Sequence, residues 1–570
     1  MALGLLALVS RLFYLHFIDA NHGRDFLKKQ GDMRVLRVQP LTASRGEIVD
    51  RNGELLAYST PVKSIWVNPS KLSRDDSALL PLAELLDMSL AEIDKRLKAN
   101  DHYVFLRRQL SPEKADAIMA LEMAGVHTET EYKRFYPAAE MAAHIVGFTD
   151  VDDNGQEGVE LAFDAVLRGE PGSRRIMKNA RGEIIRDLRL IKPAATGEPV
   201  TLSLDMNLQY AAYRELKAAV AEHGARSASM VILDVTTGEV LALVNQPSYN
   251  VNDRSQLAPG LTRNRALIDV FEPGSTAKPF TMAAALESKK FSPHTSVETA
   301  PGYIRVGKKT IIDPKNYGTL KVTDVLVKSS QVGTTKIALS LPASDLRAMF
   351  SRVGFGEFCA TGFPGEQVGF LPNQRRWLPI QRATLAFGHG MSVNTLQLAR
   401  AYLAIAADGI KHPVTLLKND AQNAQVGGVD DLPSSRVFDA DIAQQLRAMM
   451  TKVVLKGTGK KAAIAGYSVA GKTGTSHKVG AGGYQENRYR ATFAGMVPAS
   501  NPRFVAVVTV DDPQGMVYYG GEVAAPVFSR VMGSALRLWN IPPDLPEQLD
   551  ANYLMVNAEN KAARGQFNAG

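Results

Sequence analysis

The sequence predicts a layered α/β protein, built as two folded modules behind an apolar N-terminal helix, and three observations carry that expectation. The composition is that of a packed globular chain, 45% hydrophobic and 22% charged over 570 residues. Short apolar runs bounded by turn residues, SASMVILDVTTGEVLALVNQPSY and ATFAGMVPASNPRFVAVVTVDDP, read as two strand pairs. These pairs lie at the two ends of one long segment whose middle is mostly helical, so one sheet takes strands from both ends of its domain. At about 150 residues per domain, length alone suggests roughly three or four units.

Charge and cysteine content narrow the functional classes. Lys and Arg total 66 against 58 Asp and Glu, a formal charge of +8. That modest excess suits an anionic polymer or a membrane surface, and without a long Lys/Arg run nucleic acid is not an expected partner. The single cysteine, Cys359, excludes an intrachain disulfide framework and a Cys-rich zinc or iron–sulfur site. In the Gly-rich stretch GFGEFCATGFPGE it reads as a small structural residue.

Residues 1–18, MALGLLALVSRLFYLHFI, are apolar apart from Ser10, Arg11 and His16. As a helix they span about 27 Å, barely a bilayer core. Arg11 at mid-span costs about 2.5–3.5 kcal/mol in a membrane, and no small-residue cleavage site follows. The segment reads as an uncleaved membrane anchor, with a buried amphipathic helix as the alternative. The missing basic flank leads us to expect the natural start upstream of Met1.

Residues 19–40 form a juxtamembrane connector and 41–200 a mixed module without a catalytic cluster. In that module Asn52-Gly53, between IVDR and ELLAYS, signals a hairpin. LLPLAELLDMSLAEIDKRLKA and SPEKADAIMALEMAG repeat apolar residues at helical spacing. From residue 201 a helix leads into the strand pairs, and VAAPVFSRVMGSALRLWN closes the 201–540 unit as an amphipathic helix. The Pro-containing remainder, 541–570, reads as a flexible tail.

Three short motifs carry the chemistry. In VFEPGSTAKPFTMAAALES, Ser275 opens a helix with Lys278 one turn on, so the two side chains share a face. A lysine made neutral by burial or by neighbouring positive charge can accept the serine proton. The pattern alone is weak: Ser111 and Lys114 match it too, yet Pro112 at the first helical position marks Ser111 as an ordinary cap. VLVKSSQVGTTKIALS supplies Ser329-Ser330-Gln331, a hydroxyl to relay a proton and a carboxamide to hold a peptide amide. YSVAGKTGTSHKV supplies Lys472-Thr473-Gly474-Thr475, a positive charge and two hydroxyls for a carboxylate, on a strand that Gly474 lets another backbone approach. In this order the three are the signature set of serine acyltransferases that recognise D-Ala-D-Ala.

The chain resembles the class B penicillin-binding proteins. RGEIVDRNGELLA (45–57), KRFYPAAEMAAHIVGF (133–148), EGVELAFDAVLRGEPG (157–172), NRALIDVFEPGSTAKPF (264–280), FGHGMSVNTLQLARAYLAIAADG (387–409) and the stretch 470–515 all carry the likeness. PASNPRF and YYGGEVAAPVF are most similar to the division-specific, penicillin-binding protein 3 branch. The resemblance implies a transpeptidase domain over 201–540, with an antiparallel sheet flanked by helices and a helical subdomain. It implies an elongated pedestal or dimerisation-type module over 41–200 and an inner-membrane anchor over 1–18 that leaves the catalytic domain in the periplasm.

For the site, the resemblance implies Ser275 as nucleophile, Lys278 as general base, and Ser329 with Lys472 passing a proton to the leaving group. Thr473, Gly474 and Thr475 would line the carboxylate site, Gln331 would hold the peptide amide, and the backbone N–H groups of Ser275 and Thr475 would form the oxyanion hole. Donor and acceptor are stem peptides of peptidoglycan, and β-lactams acylate the same serine. No metal or organic cofactor is implied. Division-complex partners, including a glycan polymerase and small single-span proteins, are.

One departure stands out: Gln331 replaces the family's usual Asn, shifting the carboxamide by about 1.5 Å, one carbon–carbon bond. It leaves open a catalytically weakened scaffold or penicillin sensor beside the transpeptidase and the D,D-carboxypeptidase. His389, in FGHGMS, reads as a turn residue where the family often has an aromatic, and not as a general base.

Overall fold

The structure, a computed structural model, describes residues 2–17, 26, 36–73, 75–178, 184–255, 257–374, 376–419, 423, 433–480 and 482–547. Most of the expected connector over 19–40, and the expected tail from residue 548 onward, lie outside the described residues.

Helix α1 (Ala2–Phe17) has 16 residues and exposes Leu3, Leu5, Leu6, Leu8 and Val9. No described helix is long and apolar enough to cross a membrane, so the fold does not show the span expected over 1–18.

The N-terminal module holds strands β1 (Leu36–Leu41), β2 (Ile48–Val49) and β3 (Leu55–Val67), helices α2 (Asp76–Leu86) and α3 (Leu90–Leu97), strand β4 (Val104–Leu110), helix α4 (Pro112–Met119), and strands β5 (Val126–Phe135), β6 (Gly172–Lys178), β7 (Ile184–Lys192) and β8 (Val200–Thr201). β1, β6 and β7 form a three-stranded antiparallel sheet. The other five make a second sheet around the long β3. The β2–β3 hairpin turns at Asn52-Gly53, as the sequence suggests: Asp50 Oδ1 accepts from the backbone N–H of Asn52 (2.8 Å) and Glu54 (2.9 Å). Gly53 takes the left-handed φ of +89° that a side chain would disfavour.

α2, α3 and α4 bury Leu82, Leu86, Ile93, Leu97 and Ile118 against Ile65, Val67 and Leu106 of β3 and β4. Ser111 Oγ accepts from the Lys114 backbone N–H, so this second S-x-x-K is the helix cap expected of it. Beside the sheet, the fully buried Glu160 bridges Arg45 (2.5 Å) and Arg134 (2.7 Å).

The C-terminal domain runs α5 (Met206–Glu222), β9 (Ser227–Asp234), β10 (Val240–Gln246), α6 (Lys278–Glu287), α7 (Val322–Lys328), α8 (Gln331–Ser340), α9 (Thr395–Ala406), α10 (Ala440–Lys456), β11 (Ala470–Gly480), β12 (Gly483–Val497), β13 (Phe504–Asp511) and α11 (Ala525–Leu538). The sheet order is β10-β9-β13-β12-β11, antiparallel throughout, so both ends of the domain contribute strands. β9 and β13 lie inside and are buried along their whole length because both faces are covered. Met230 and Ile232 join α5 and α11 on one face, while Val231 and Leu233 join α6 and α9 on the other. That double covering explains continuous apolar runs where a half-exposed antiparallel strand would alternate. Cys359 sits in this core, and burial pushes its thiol up to about 12, which leaves it unreactive.

Candidate active site

Ser275 lies in a single 3₁₀ turn, Gly274–Ala277, that runs directly into α6. The turn is held from three sides. Thr276 Oγ1 donates to Pro273 O (2.6 Å), the buried Tyr402 hydroxyl of α9 donates to Thr276 O (2.9 Å), and Gly274 N–H donates to Gly388 O (3.1 Å). A Cβ on Gly388 would lie 2.3 Å from Gly274 O, so only glycine lets these two backbones meet. Pro279 at the start of α6 costs nothing, because a helix leaves its first N–H groups unpaired.

Lys278 is wholly buried, and its Nζ donates to Ser329 O (2.5 Å) and lies 3.1 Å from Ser329 Oγ. Ser329 closes α7 in the left-handed region, φ +58° and ψ +35°, a conformation that costs a non-glycine residue about 1–2 kcal/mol. From β11, the equally buried Lys472 brings its Nζ to 3.0 Å from the same Ser329 Oγ and donates to Thr473 O (3.0 Å). Burial pushes Lys278 down to about 7, against the opposing pull of the Asp313 carboxylate. Lys472 falls well below the usual lysine range, through burial first and the Lys278 charge second.

Gly474 brings β11 against the serine turn: a Cβ there would lie 2.9 Å from Thr276 Cγ2 and 3.1 Å from Pro273 O. Thr475 Oγ1 accepts from Gly520 N–H (3.0 Å), and Thr473 Oγ1 lies 2.6 Å from Thr458 Oγ1. Gln331 is the first residue of α8; its backbone is tied to Asp313 while its carboxamide makes no hydrogen bond among the described residues. Ser275 Oγ likewise has no hydrogen-bond partner among the described residues.

All eight residues singled out by motif thus fall on three converging elements: the serine turn with α6, the α7–α8 junction, and β11. Lys278, Ser329 and Lys472 make direct contact. Tyr402 and Asp313 were not signalled, because neither belongs to a motif and only the fold brings them here. His389 directly follows a turn at Phe387-Gly388, beside Glu272 and Tyr484. Its Nδ1 lies 3.9 Å from Glu272 Oε2, and Tyr484 OH donates to the same carboxylate (2.9 Å). Burial lowers the His389 pKa, and the imidazole makes no hydrogen bond to Ser275 among the described residues. No group of three metal-ligating side chains occurs among the described residues.

The family described as penicillin binding protein transpeptidase domain matches residues 228–533, and the penicillin-binding protein dimerisation domain matches residues 40–202. The chain is 42% identical to the probable peptidoglycan D,D-transpeptidase PbpC of Pseudomonas aeruginosa, over 95% of this chain and 94% of that protein. It is 42% identical to the peptidoglycan D,D-transpeptidase FtsI of Escherichia coli, over 97% of this chain and 93% of FtsI. Among solved structures, penicillin-binding protein 3 of Mycobacterium tuberculosis in complex with aztreonam superposes with a TM-score of 0.68 at 28% identity, over 89% of this chain and 98% of that one. The transpeptidase domain of Burkholderia pseudomallei penicillin-binding protein 3 is 42% identical over 60% of this chain and 98% of its own, with a TM-score of 0.54.

Proposed function

The chain belongs to the class B penicillin-binding proteins, and from that membership and its three-element site we propose that it is a serine-type peptidoglycan D,D-transpeptidase of septal cell-wall synthesis. The observation that carries the reading is the sharing of Ser329 Oγ between two buried, low-pKa lysines, Lys278 one turn along from Ser275 and Lys472 on β11.

Neutral Lys278 takes the Ser275 proton as Oγ attacks the penultimate D-Ala carbonyl of a stem peptide. The tetrahedral oxyanion is held by the backbone N–H groups of Ser275 and Thr475, each such donor typically worth about 2.7–4 kcal/mol. Ser329 takes the proton from Lys278 and gives it to the departing D-Ala nitrogen, with Lys472 holding the relay. Thr473 and Thr475 bind the terminal carboxylate beside Gly474, and Gln331 binds the peptide amide. The side-chain amine of a second stem peptide then attacks the acyl-enzyme, forming the cross-link and freeing Ser275. A β-lactam enters the first half of this cycle and stays on Ser275.

Segment 1–18 anchors the chain in the inner membrane, supported by the exposed apolar side chains of α1, with the catalytic domain periplasmic. Residues 41–200 form the pedestal that meets a glycan polymerase and other division proteins, and residues 201–540 form the catalytic unit.

Supplying the purified protein with a peptide or thioester donor and a D-amino acid acceptor tests the reaction class. Transfer product is expected. Hydrolysis product alone would identify a D,D-carboxypeptidase, and neither product, with no penicillin labelling, would identify a scaffold.

A further inference from the structure

Behind the α7–α8 junction stands a carboxylate that the motifs do not include. Asp313 follows the small hairpin of Tyr303–Val306 and Lys309–Ile312, is 4% exposed, and is anchored by its own N–H to Gly302 O (2.9 Å). Its Oδ2 accepts from the Ser330 hydroxyl (2.5 Å), and its Oδ1 from the backbone N–H of Gln331 (2.6 Å) and Val332 (3.2 Å). Three donors therefore converge on one carboxylate, and they come from three consecutive residues beginning directly after Ser329. Among the described residues Asp313 forms no salt bridge, so no ion pair neutralises its charge. Ser330 Oγ in turn accepts from Gly333 N–H (2.8 Å), which makes the junction a closed chain of bonds.

This arrangement bears on Ser329 and Lys278. Ser329 is held in a left-handed conformation that a free serine avoids; the N–H groups of Ser329 and Ser330 bond back to Leu326 O and Val325 O, and the ties to Asp313 fix the residues that follow. Its carbonyl and hydroxyl oxygens are both within hydrogen-bond distance of Lys278 Nζ, so a slack junction would move the proton acceptor together with its relay. The titratable groups facing Lys278 are Lys472 from β11 and His389 from the loop before α9, both cationic when protonated, and Asp313 from the hairpin. Of these titratable groups, among the described residues, Asp313 is the one whose charge opposes the loss of the Lys278 proton.

We propose that Asp313 is a positioning residue of the acylation centre, clamping the Ser329-Ser330-Gln331 junction through its two oxygens and setting the charge balance at Lys278. The inference rests on the reading of Ser275, Lys278 and Ser329 as the acylating group. A carboxylate does what a carboxamide cannot: Asn at this position keeps one acceptor oxygen, turns an N–H₂ toward Ser330, and removes the charge.

The test is the second-order rate of acylation by a fluorescent penicillin between about pH 5.5 and 9.5, with thermal unfolding measured alongside. In Asp313→Asn the midpoint of the acid limb moves to lower pH by about half a unit, because Lys278 loses a stabilising negative charge. The plateau falls on the order of tenfold, because sub-ångström looseness at a relay is costly. Ser330→Ala cuts the hydroxyl tie but leaves the charge, so its plateau falls while its midpoint stays, a reading independent of whether the first variant folds. An Asp313→Asn midpoint at the wild-type position, or a Ser330→Ala plateau equal to wild type, overturns the proposal. Labelling that is absent in wild type, or that persists in Ser275→Ala, overturns the site assignment itself and is distinguishable from either result.

Discussion

Lys278 and Lys472 share one oxygen: Ser329 Oγ lies 3.1 Å from the first ammonium nitrogen and 3.0 Å from the second, and neither lysine forms a salt bridge among the described residues. Two positive charges cannot both persist, wholly buried, around a single hydroxyl. The pair therefore settles with a proton missing, and the missing proton is what makes a base. In the proposed cycle Lys278 acts on Ser275 from one turn along the same segment, while Lys472 approaches Ser329 Oγ from the sheet.

The pH dependence of acylation follows from Lys278. Below about 7 it is protonated and cannot accept the serine proton. The acylation rate with penicillin should rise roughly tenfold per pH unit on the acid side and level off above about 7 to 8. A profile flat from about pH 5 to 8 would contradict this role.

The same lysine should cost stability. Folded, Lys278 titrates at about 7; unfolded, it returns to 10.5. Between those values the unfolded chain binds a proton that the folded one has shed, so unfolding free energy rises with pH across the window. Lys278→Met should abolish acylation and raise the melting temperature at pH 7, with the gain shrinking as pH approaches about 10. Thermal scans at three pH values check the sign, and a pH-independent loss of stability would contradict it.

Glu160 joins two buried arginines in the N-terminal module. Glu160→Ala leaves the buried Arg45 and Arg134 guanidinium groups without their shared carboxylate and should destabilise by about 3–5 kcal/mol. Denaturant unfolding measures the loss. Acylation by the still-folded protein at low temperature should remain near wild type, since Glu160 touches no residue of the serine site.

Gln331 has its backbone fixed by Asp313, while its carboxamide makes no hydrogen bond among the described residues and so is held in no one position by a partner. Gln331→Asn should change the penicillin acylation rate by about threefold or more, and shift the ranking among β-lactams, because relocating a substrate contact by about 1 Å is costly. Equal rates and an equal ranking would show that the site ignores the extra methylene.

Much of this architecture was legible before folding was considered. The β9 and β13 runs stood out because strands buried on both faces lose polar alternation, and Asn52-Gly53 announced its hairpin through a left-handed glycine. The order of three motifs picked out residues that the fold brings onto three converging elements. Two parts were not legible. Asp313 is a lone acid in DPKNYG, separated from the serine turn by a hairpin, and only the packing of that hairpin against α8 brings it to the junction. Tyr402 reads as one more apolar residue on α9, and its hydroxyl gains meaning only when the Thr276 carbonyl is found above it. Sequence spacing records what lies on one element; contacts between elements distant in the chain leave no such trace.

The most direct measurement is the site of covalent attachment. After reaction with a penicillin, the intact protein should gain one ligand mass, peptide mapping should place it on Ser275, and Ser275→Ala should remain unlabelled. Attachment to Ser329 or any other residue, or undiminished labelling of Ser275→Ala, would contradict the account.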